Sequence, residues 1–208
     1  MKFYSQSGQD KIIFENFFKN KDNGYYVDIG AHDGITFSNT YFFEQLGWKG
    51  ICIEPNPVVF TKLSMNRTCE ISNHAICERN GTVKFLQVGH PQGKNEYTEM
   101  LSGRASKYDM RHMNRVITES EREGVARKLI DVPASTFDNI VKEKNIDFLS
   151  IDVEGAELDI VNNINFKDYN ISVITLENNF KDQTINEILL TNGYKIFQTI
   201  GADYIFYK

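Results

Sequence analysis

FLSIDVEGAELDIV, residues 148–161, passes from an apolar run into a helical pattern through a cluster of carboxylates. Residues 148–153 read as a buried strand, while Ala156, Ile160 and Ile164, with Leu158 and Val161, recur at helical spacing. Upstream, YYVDIG (25–30) ends in Gly30 and precedes a helix expected at about 36–46. GICIEP (50–55) does the same, and Pro57 suits the first turn of the helix after it. EISNHAI (70–76), SVITLEN (172–178), KIFQTI (195–200) and DYIFYK (203–208) are further strand candidates, with helices near 156–164 and 184–192. Strand and helix alternating at this spacing predict an α/β fold: an open, doubly wound, mostly parallel sheet. Only Gly201, Ala202 and Asp203 join the last two strands, too few for a parallel crossover, so the final strand is expected to be antiparallel.

The chain of 208 residues is expected to be one domain, 1–208, burying about 70% of its unfolded surface. Its 41% hydrophobic and 25% charged content are ordinary for a soluble globular protein. Neither a signal-peptide core nor a run of 18 apolar residues occurs, so a cytoplasmic protein without a membrane span is expected. Cys52, Cys69 and Cys77 lack metal-ligand spacing and read as buried free thiols. A net charge of −5 argues against general nucleic-acid binding.

Between the third strand and residue 148 the chain makes a detour. TVKFLQV (82–88) and LIDVPA (129–134) look like extra strands, and residues 135–145 like a helix capped by Ser135. Residues 90–128 hold eight Lys/Arg against six Asp/Glu, leaving −7 for the rest of the chain. This mildly basic stretch is too long for a structureless loop, so it is expected to carry short helices as a lid or acceptor insertion.

In an open α/β sheet, ligands sit at the carboxyl ends of the strands near the switch point. VDIGAHDG (27–34) places Gly30 and Gly34 there but lacks the middle glycine of a dinucleotide fingerprint. NAD is therefore disfavoured, and a nucleoside ligand without phosphate is favoured. Glu54, at the tip of the second strand, is placed to hold a ribose diol through both carboxylate oxygens, which points to S-adenosylmethionine. His32 reads as a pocket-lining or turn residue.

YSQSGQD (4–10), GYYVDIGAHDGITFSNT (24–40), WKGICIEPNP (48–57), MLSG (100–103) and IDFLSIDVEGAELDIV (146–161) together resemble the FkbM family of methyltransferases, over nearly the whole chain. The resemblance implies a class I (Rossmann-like) fold and S-adenosylmethionine-dependent methyl transfer to a hydroxyl of a sugar or natural product. It also implies a cofactor loop of Asp28, Gly30, His32, Asp33 and Gly34, with Ser38, Asn39 and Thr40 following, Glu54 on the ribose, and Gln6 and Asp10 over the methionine end.

A hydroxyl acceptor needs a general base or a metal. Asp152, Glu154 and Glu177 are the catalytic candidates, with Glu154 before the helix as the base and Asp152 also facing the cofactor. Asp152, Glu177 and Asn178 resemble the divalent-metal set of catechol-type and certain sugar O-methyltransferases, a set that suits Mg²⁺ or Mn²⁺. Glu157 and Asp159 read as first-turn helix stabilisers. From the insertion, Ser102, Arg104, Tyr108, Arg111 and His112 are candidates to hold a saccharide or other small hydroxyl acceptor, and Met100, Leu101 and Arg115 lie in the same stretch. Methylation of a non-sugar natural product or an RNA 2′-hydroxyl, and a non-catalytic cofactor-binding domain, are the alternatives.

Overall fold

A computed structural model describes residues 1–89, 96–108, 110–179 and 181–208. Its main sheet has seven strands: β1 (Tyr25–Ile29), β2 (Lys49–Ile53), β3 (Glu70–Ser72), β8 (Asn145–Ile151), β9 (Asn170–Glu177), β10 (Lys195–Ile200) and β11 (Asp203–Tyr207). Their order is β10-β11-β9-β8-β1-β2-β3. Five neighbours from β3 to β9 pair in parallel, and β11 runs antiparallel to both β9 and β10, as the short connection requires.

The order reverses at β1, whose successors build outward on one side to β3 and on the other to β9. The crevice at the tips of β1 and β8 is therefore the switch point, where a ligand finds space between diverging connections.

Side chains alternate along these strands, and the central strands β1, β2, β8 and β9 bury both faces. Val27, Ile29, Ile53, Leu149 and Ile174 face one apolar cluster, closed by helices α6 (Glu157–Asn163) and α7 (Gln183–Thr191) through Ile160, Val161, Ile185 and Leu189. Tyr26, Cys52, Phe148 and Val173 face the other, closed by Ile13 of α1 (Gln9–Ile13), Phe42 and Phe43 of α2 (Tyr41–Gln45) and Leu63 of α3 (Pro57–Asn66). Pro57 opens α3, and Asn56 caps it by accepting from the Val58 N–H at 3.2 Å.

The detour builds a second sheet, ordered β4-β7-β5-β6, from β4 (Ala75–Ile76), β5 (Gly81–Gly89), β6 (Gly103–Arg104) and β7 (Ala126–Ser135). The expected strand at 70–76 is thus two, one in each sheet. Residues 96–107 form two 3₁₀ turns around β6, and Met110–Glu123 form helix α4. Residues 90–95 and 109 of the expected insertion lie outside the described residues.

Two expected helices are shorter. Only residues 41–45 of the 36–46 segment are helical, because side chains before them satisfy the backbone locally. Asp33 accepts from the Ile35 and Thr36 N–H groups, Phe37 has φ 57°, and Ser38 Oγ accepts from the Thr40 and Tyr41 N–H groups. Within 135–145 only α5 (Phe137–Ile140) forms, and its cap is Thr136, not Ser135, which remains in β7 opposite Ile76.

Candidate functional site

A cavity of about 390 Å³ opens at the carboxyl ends of β1, β2, β8 and β9. Its floor begins at Gly30 (φ 86°), whose N–H donates to the Ile53 carbonyl at 2.9 Å. Glu54 follows β2, with Oε2 accepting from the His32 N–H (3.1 Å) and Oε1 from the Asn56 N–H (2.8 Å). Each oxygen has a second lone pair, so the carboxylate can accept two further donors. Burial pushes its pKa up to about 7. His32 is itself left-handed (φ 50°) and lines the cavity, and neither ring nitrogen has a hydrogen-bond partner among the described residues.

Of the expected cofactor residues, Gln6, Asp28, Gly30, His32, Ser38, Asn39, Glu54 and Asp152 line the cavity. Asn39 donates to Ser150 Oγ (3.1 Å), while its buried Oδ1 has no partner among the described residues. Asp33, Gly34 and Thr40 act one layer back. Asp33 ties the 33–36 turn, and Thr40 Oγ1 donates to Asp28 Oδ2 at 2.5 Å. A Cβ on Gly34 would lie 2.6 Å from Arg67.

Asp10 does not line the cavity: its buried carboxylate accepts from the Tyr4 and Ser5 N–H groups and folds the N-terminal segment. Its neighbour Gln9 is the lining residue, donating to Asp203 Oδ2 at 2.7 Å. A pairing across 194 positions leaves no signal in local sequence.

Arg67 also escaped the sequence reading. Its fully buried guanidinium donates to Glu44 (2.6 Å), the Gly34 carbonyl (2.8 Å) and Thr40 Oγ1 (3.1 Å), bracing the loop from behind. It ends α3 beyond an amphipathic stretch, where an arginine ordinarily faces solvent.

Across the cavity, one oxygen each of Asp152, Glu154 and Glu177 lies within 4.8 Å of the others. Asp152 is open to the cavity, and the protein surrounding it, with Glu177 and Glu154 beside it, raises its pKa well above the usual carboxylate range. Burial, then the Glu177 charge, pushes Glu154 up to about 8, although Arg115 opposes this. Burial, then Glu157 and Asp203, pushes Glu177 up to about 7. Like charges this close cannot all ionise without a cation nearby.

Asn178 does not join this group. Its Oδ1 accepts from the Asp182 N–H (2.8 Å) and its amide donates to the Asp182 carbonyl (3.0 Å), clamping the turn before α7. The expected set of Asp152, Glu177 and Asn178 is therefore not assembled. Glu154 takes the third place: its carboxylate, with those of Asp152 and Glu177, forms a group close enough to share a cation, while His112 and Arg115 also face its Oε2.

Glu157 is buried and accepts from the Val153 and Gly155 N–H groups, holding the turn that carries Glu154. Asp159 does more than open α6: it pairs with Arg104 (3.0 Å) and Lys107 (2.6 Å), tying the insertion to the main sheet.

From the insertion, Ser102 and Arg104 line the cavity together with Tyr97, Glu99, Met100 and Arg115. Leu101 is buried in the insertion's own apolar cluster. Tyr108 does not reach the cavity, since its hydroxyl donates to the Leu101 carbonyl at 2.6 Å. Arg111 is exposed and outside the lining, and His112 is buried behind Glu154.

A mixed α/β sheet with a cavity at the carboxyl ends of its parallel strands, a glycine turn after β1 and an acidic residue after β2 is consistent with a methyltransferase fold. Residues 28–196 match the family described as the methyltransferase FkbM domain, and the chain belongs to that family. No curated protein matches it. Among the described residues, no helix is long and apolar enough to cross a membrane.

Proposed function

We propose that this methyltransferase takes its methyl group from S-adenosylmethionine and transfers it to a hydroxyl of a sugar. Residues 1–208 then form one domain of the class I, doubly wound type, with the stretch around 90–128 acting as lid and acceptor site.

The observation that carries the reading is that one cavity is lined both by Gly30, Asn39 and Glu54 and by a cluster of three carboxylates. The first group fits the nucleoside. Gly30 lets the turn pass directly against the Asp152 backbone, Asn39 Oδ1 lacks a donor among the described residues, and Glu54 has lone pairs for two ribose hydroxyls. The second group fits the cationic half, because Asp152 and Glu177 place negative charge where an ammonium and a sulfonium need it.

When bound, S-adenosylmethionine supplies the electrophilic methyl. The chain's own residues then align the acceptor oxygen, which provides much of the acceleration. They must also remove its proton. Glu154 is the base: its pKa near 8 is matched to work near neutral pH, a contribution of about 10²–10⁴-fold. This path needs no metal.

For the acceptor, Phe37 and Tyr97 stack at the cavity with ring centroids 5.6 Å apart, and both are substantially exposed. Exposed aromatic faces suit the apolar face of a sugar ring. The cytoplasm is the compartment proposed for this activity.

The test incubates the protein with S-adenosylmethionine and a panel of deoxyhexoses, short glycans, an RNA oligonucleotide and a polyketide alcohol, then seeks the mass gain of one methyl group. A gain confined to saccharides supports the reading. A gain on RNA or the polyketide alcohol alone overturns the sugar assignment, and cofactor binding with no product marks a non-catalytic domain.

A further inference from the structure

Glu154 is an unusual residue to find in a left-handed conformation. Its φ of 55° costs about 1–3 kcal/mol for a side chain of this kind, and such strain concentrates at functional sites. Glu157 pins the backbone on both sides by accepting from Val153 (3.2 Å) and Gly155 (3.1 and 3.0 Å). The turn is thus held rigidly, which aims the carboxylate.

What the carboxylate meets comes from elsewhere in the chain. Oε2 of Glu154 is buried without a hydrogen bond among the described residues. Two side chains of α4 face it, His112 through Nδ1 at 3.4 Å and Arg115 through Nη1 at 3.5 Å. His112 is 2% exposed and packs on Tyr108 with ring centroids 4.2 Å apart. It shares a buried stripe with Val116 and Ser120, one helical turn apart each time, so its place is set by the packing of α4. The other charged groups around Glu154 are Asp152 and Glu177 at the strand tips and Glu157 on α6.

Resting on the methyl-transfer reading above, we propose that His112 is a positioning residue for Glu154. Its Nδ1–H, with the Arg115 guanidinium, holds Oε2 and leaves Oε1 to take the acceptor proton. As the acceptor oxygen takes the methyl carbon, the carbon–sulfur bond to the sulfonium would break and release the neutral thioether, while the acceptor O–H bond breaks and its proton passes to Oε1. Without these donors the charged neighbours of the carboxylate among the described residues are Asp152, Glu157 and Glu177, and its orientation is no longer fixed. The 3.4 Å contact is one small rotation from a hydrogen bond, and contacts of this kind tighten when the reacting complex forms. The base is therefore completed by the insertion, and it is in register only when α4 is packed.

The experiment compares His112→Asn, His112→Gln and His112→Ala. An asparagine amide reproduces a donor near Nδ1, a glutamine places it near Nε2, and alanine removes both. His112→Asn is expected to keep kcat within a few-fold, while the Gln and Ala variants lose about 10–100-fold with acceptor KM and cofactor Kd unchanged. Equal losses in all three that follow melting temperature, or an unchanged kcat in His112→Ala, overturn the proposal.

A second measurement does not depend on turnover. The ¹⁵N imidazole shifts of His112 should report an Nδ1-protonated ring in the wild type and change in Glu154→Ala; identical spectra overturn the pairing. If the wild type methylates no hydroxyl at all, the proposed function falls, and the spectra still decide whether His112 holds Glu154.

Discussion

Gly30 passes so close to Asp152 that a Cβ built on the glycine would lie 1.7 Å from the Asp152 carbonyl oxygen. The contact is made by backbone on both sides, because the Asp152 N–H also donates to the Ile29 carbonyl at 2.9 Å. The Gly30 turn and the carboxylate cluster are therefore parts of one junction between β1 and β8. Gly30→Ala must move one of them, and its positive φ adds about 1–3 kcal/mol. The variant is expected to melt lower and to lose S-adenosylmethionine binding by calorimetry; wild-type affinity would disprove the junction's role.

Glu54 should carry the ribose. Hydrogen bonds to charged groups contribute about 1.5–3 kcal/mol, so Glu54→Gln is expected to weaken cofactor binding about 10–100-fold. Burial raises the Glu54 pKa to about 7, and two hydroxyl donors favour its ionised form. Affinity should thus rise with pH through neutrality, with proton release on binding. Titrations near pH 7 in buffers of different ionisation heat read this directly, and a buffer-independent enthalpy would count against it.

The acid cluster makes the ligand-free protein less stable as pH rises. Glu177 and Glu154 have pKa values raised to about 7 and 8, against about 4.3 in an unfolded chain. Between these limits the folded state binds more protons than the unfolded, so unfolding free energy falls with increasing pH. The contribution is intact below the unfolded pKa and lost as pH passes the folded one. Urea titrations at about pH 5.5 and about pH 8.5 should show this loss, and Glu177→Gln should reduce it; an equal loss in the variant would remove Glu177 as a cause.

Arg67 should matter for stability more than for chemistry. Replacing it by methionine removes the guanidinium from the Gly34 carbonyl and from Glu44, which keeps donors from Tyr26 and Thr68, at a cost of about 1–3 kcal/mol. Denaturant unfolding measures this, and a change below about 1 kcal/mol would show that the network is dispensable.

Turnover is expected to survive metal removal, because Glu154 takes the acceptor proton directly in the proposed path and Asn178 is committed to Asp182. Protein treated with EDTA should keep its rate, and stimulation by Mg²⁺ or Mn²⁺ would restore the metal reading. Asn178→Ala should cost about 1–3 kcal/mol of stability through the lost clamp, without a separate effect on kcat.

Much of the fold was legible in the sequence because its determinants are local. Apolar runs of strand length, a glycine closing β1, Pro57 opening α3 and the short link before β11, which is Gly201 and Ala202, each act within a few positions. Gly30 and Glu54 could be placed for the same reason: a residue at a strand tip in a parallel sheet faces the crevice whatever else the chain does. The short α2 falls where Asp33 and Ser38 offer the backbone partners that compete with a helix, while α5, capped by Thr136, stops where Val141 turns extended.

The stretch 148–161 shows where local reading ends. Its sequence determined a strand, a turn and a helix start carrying four carboxylates. Only the tertiary structure assigned them four different tasks: Asp152 to the cavity, Glu154 to the basic pair from α4, Glu157 to the turn and Asp159 to Arg104 and Lys107. A carboxylate's proton affinity and aim depend on charges and burial within a few ångströms, and those neighbours are delivered by segments tens of residues away along the chain.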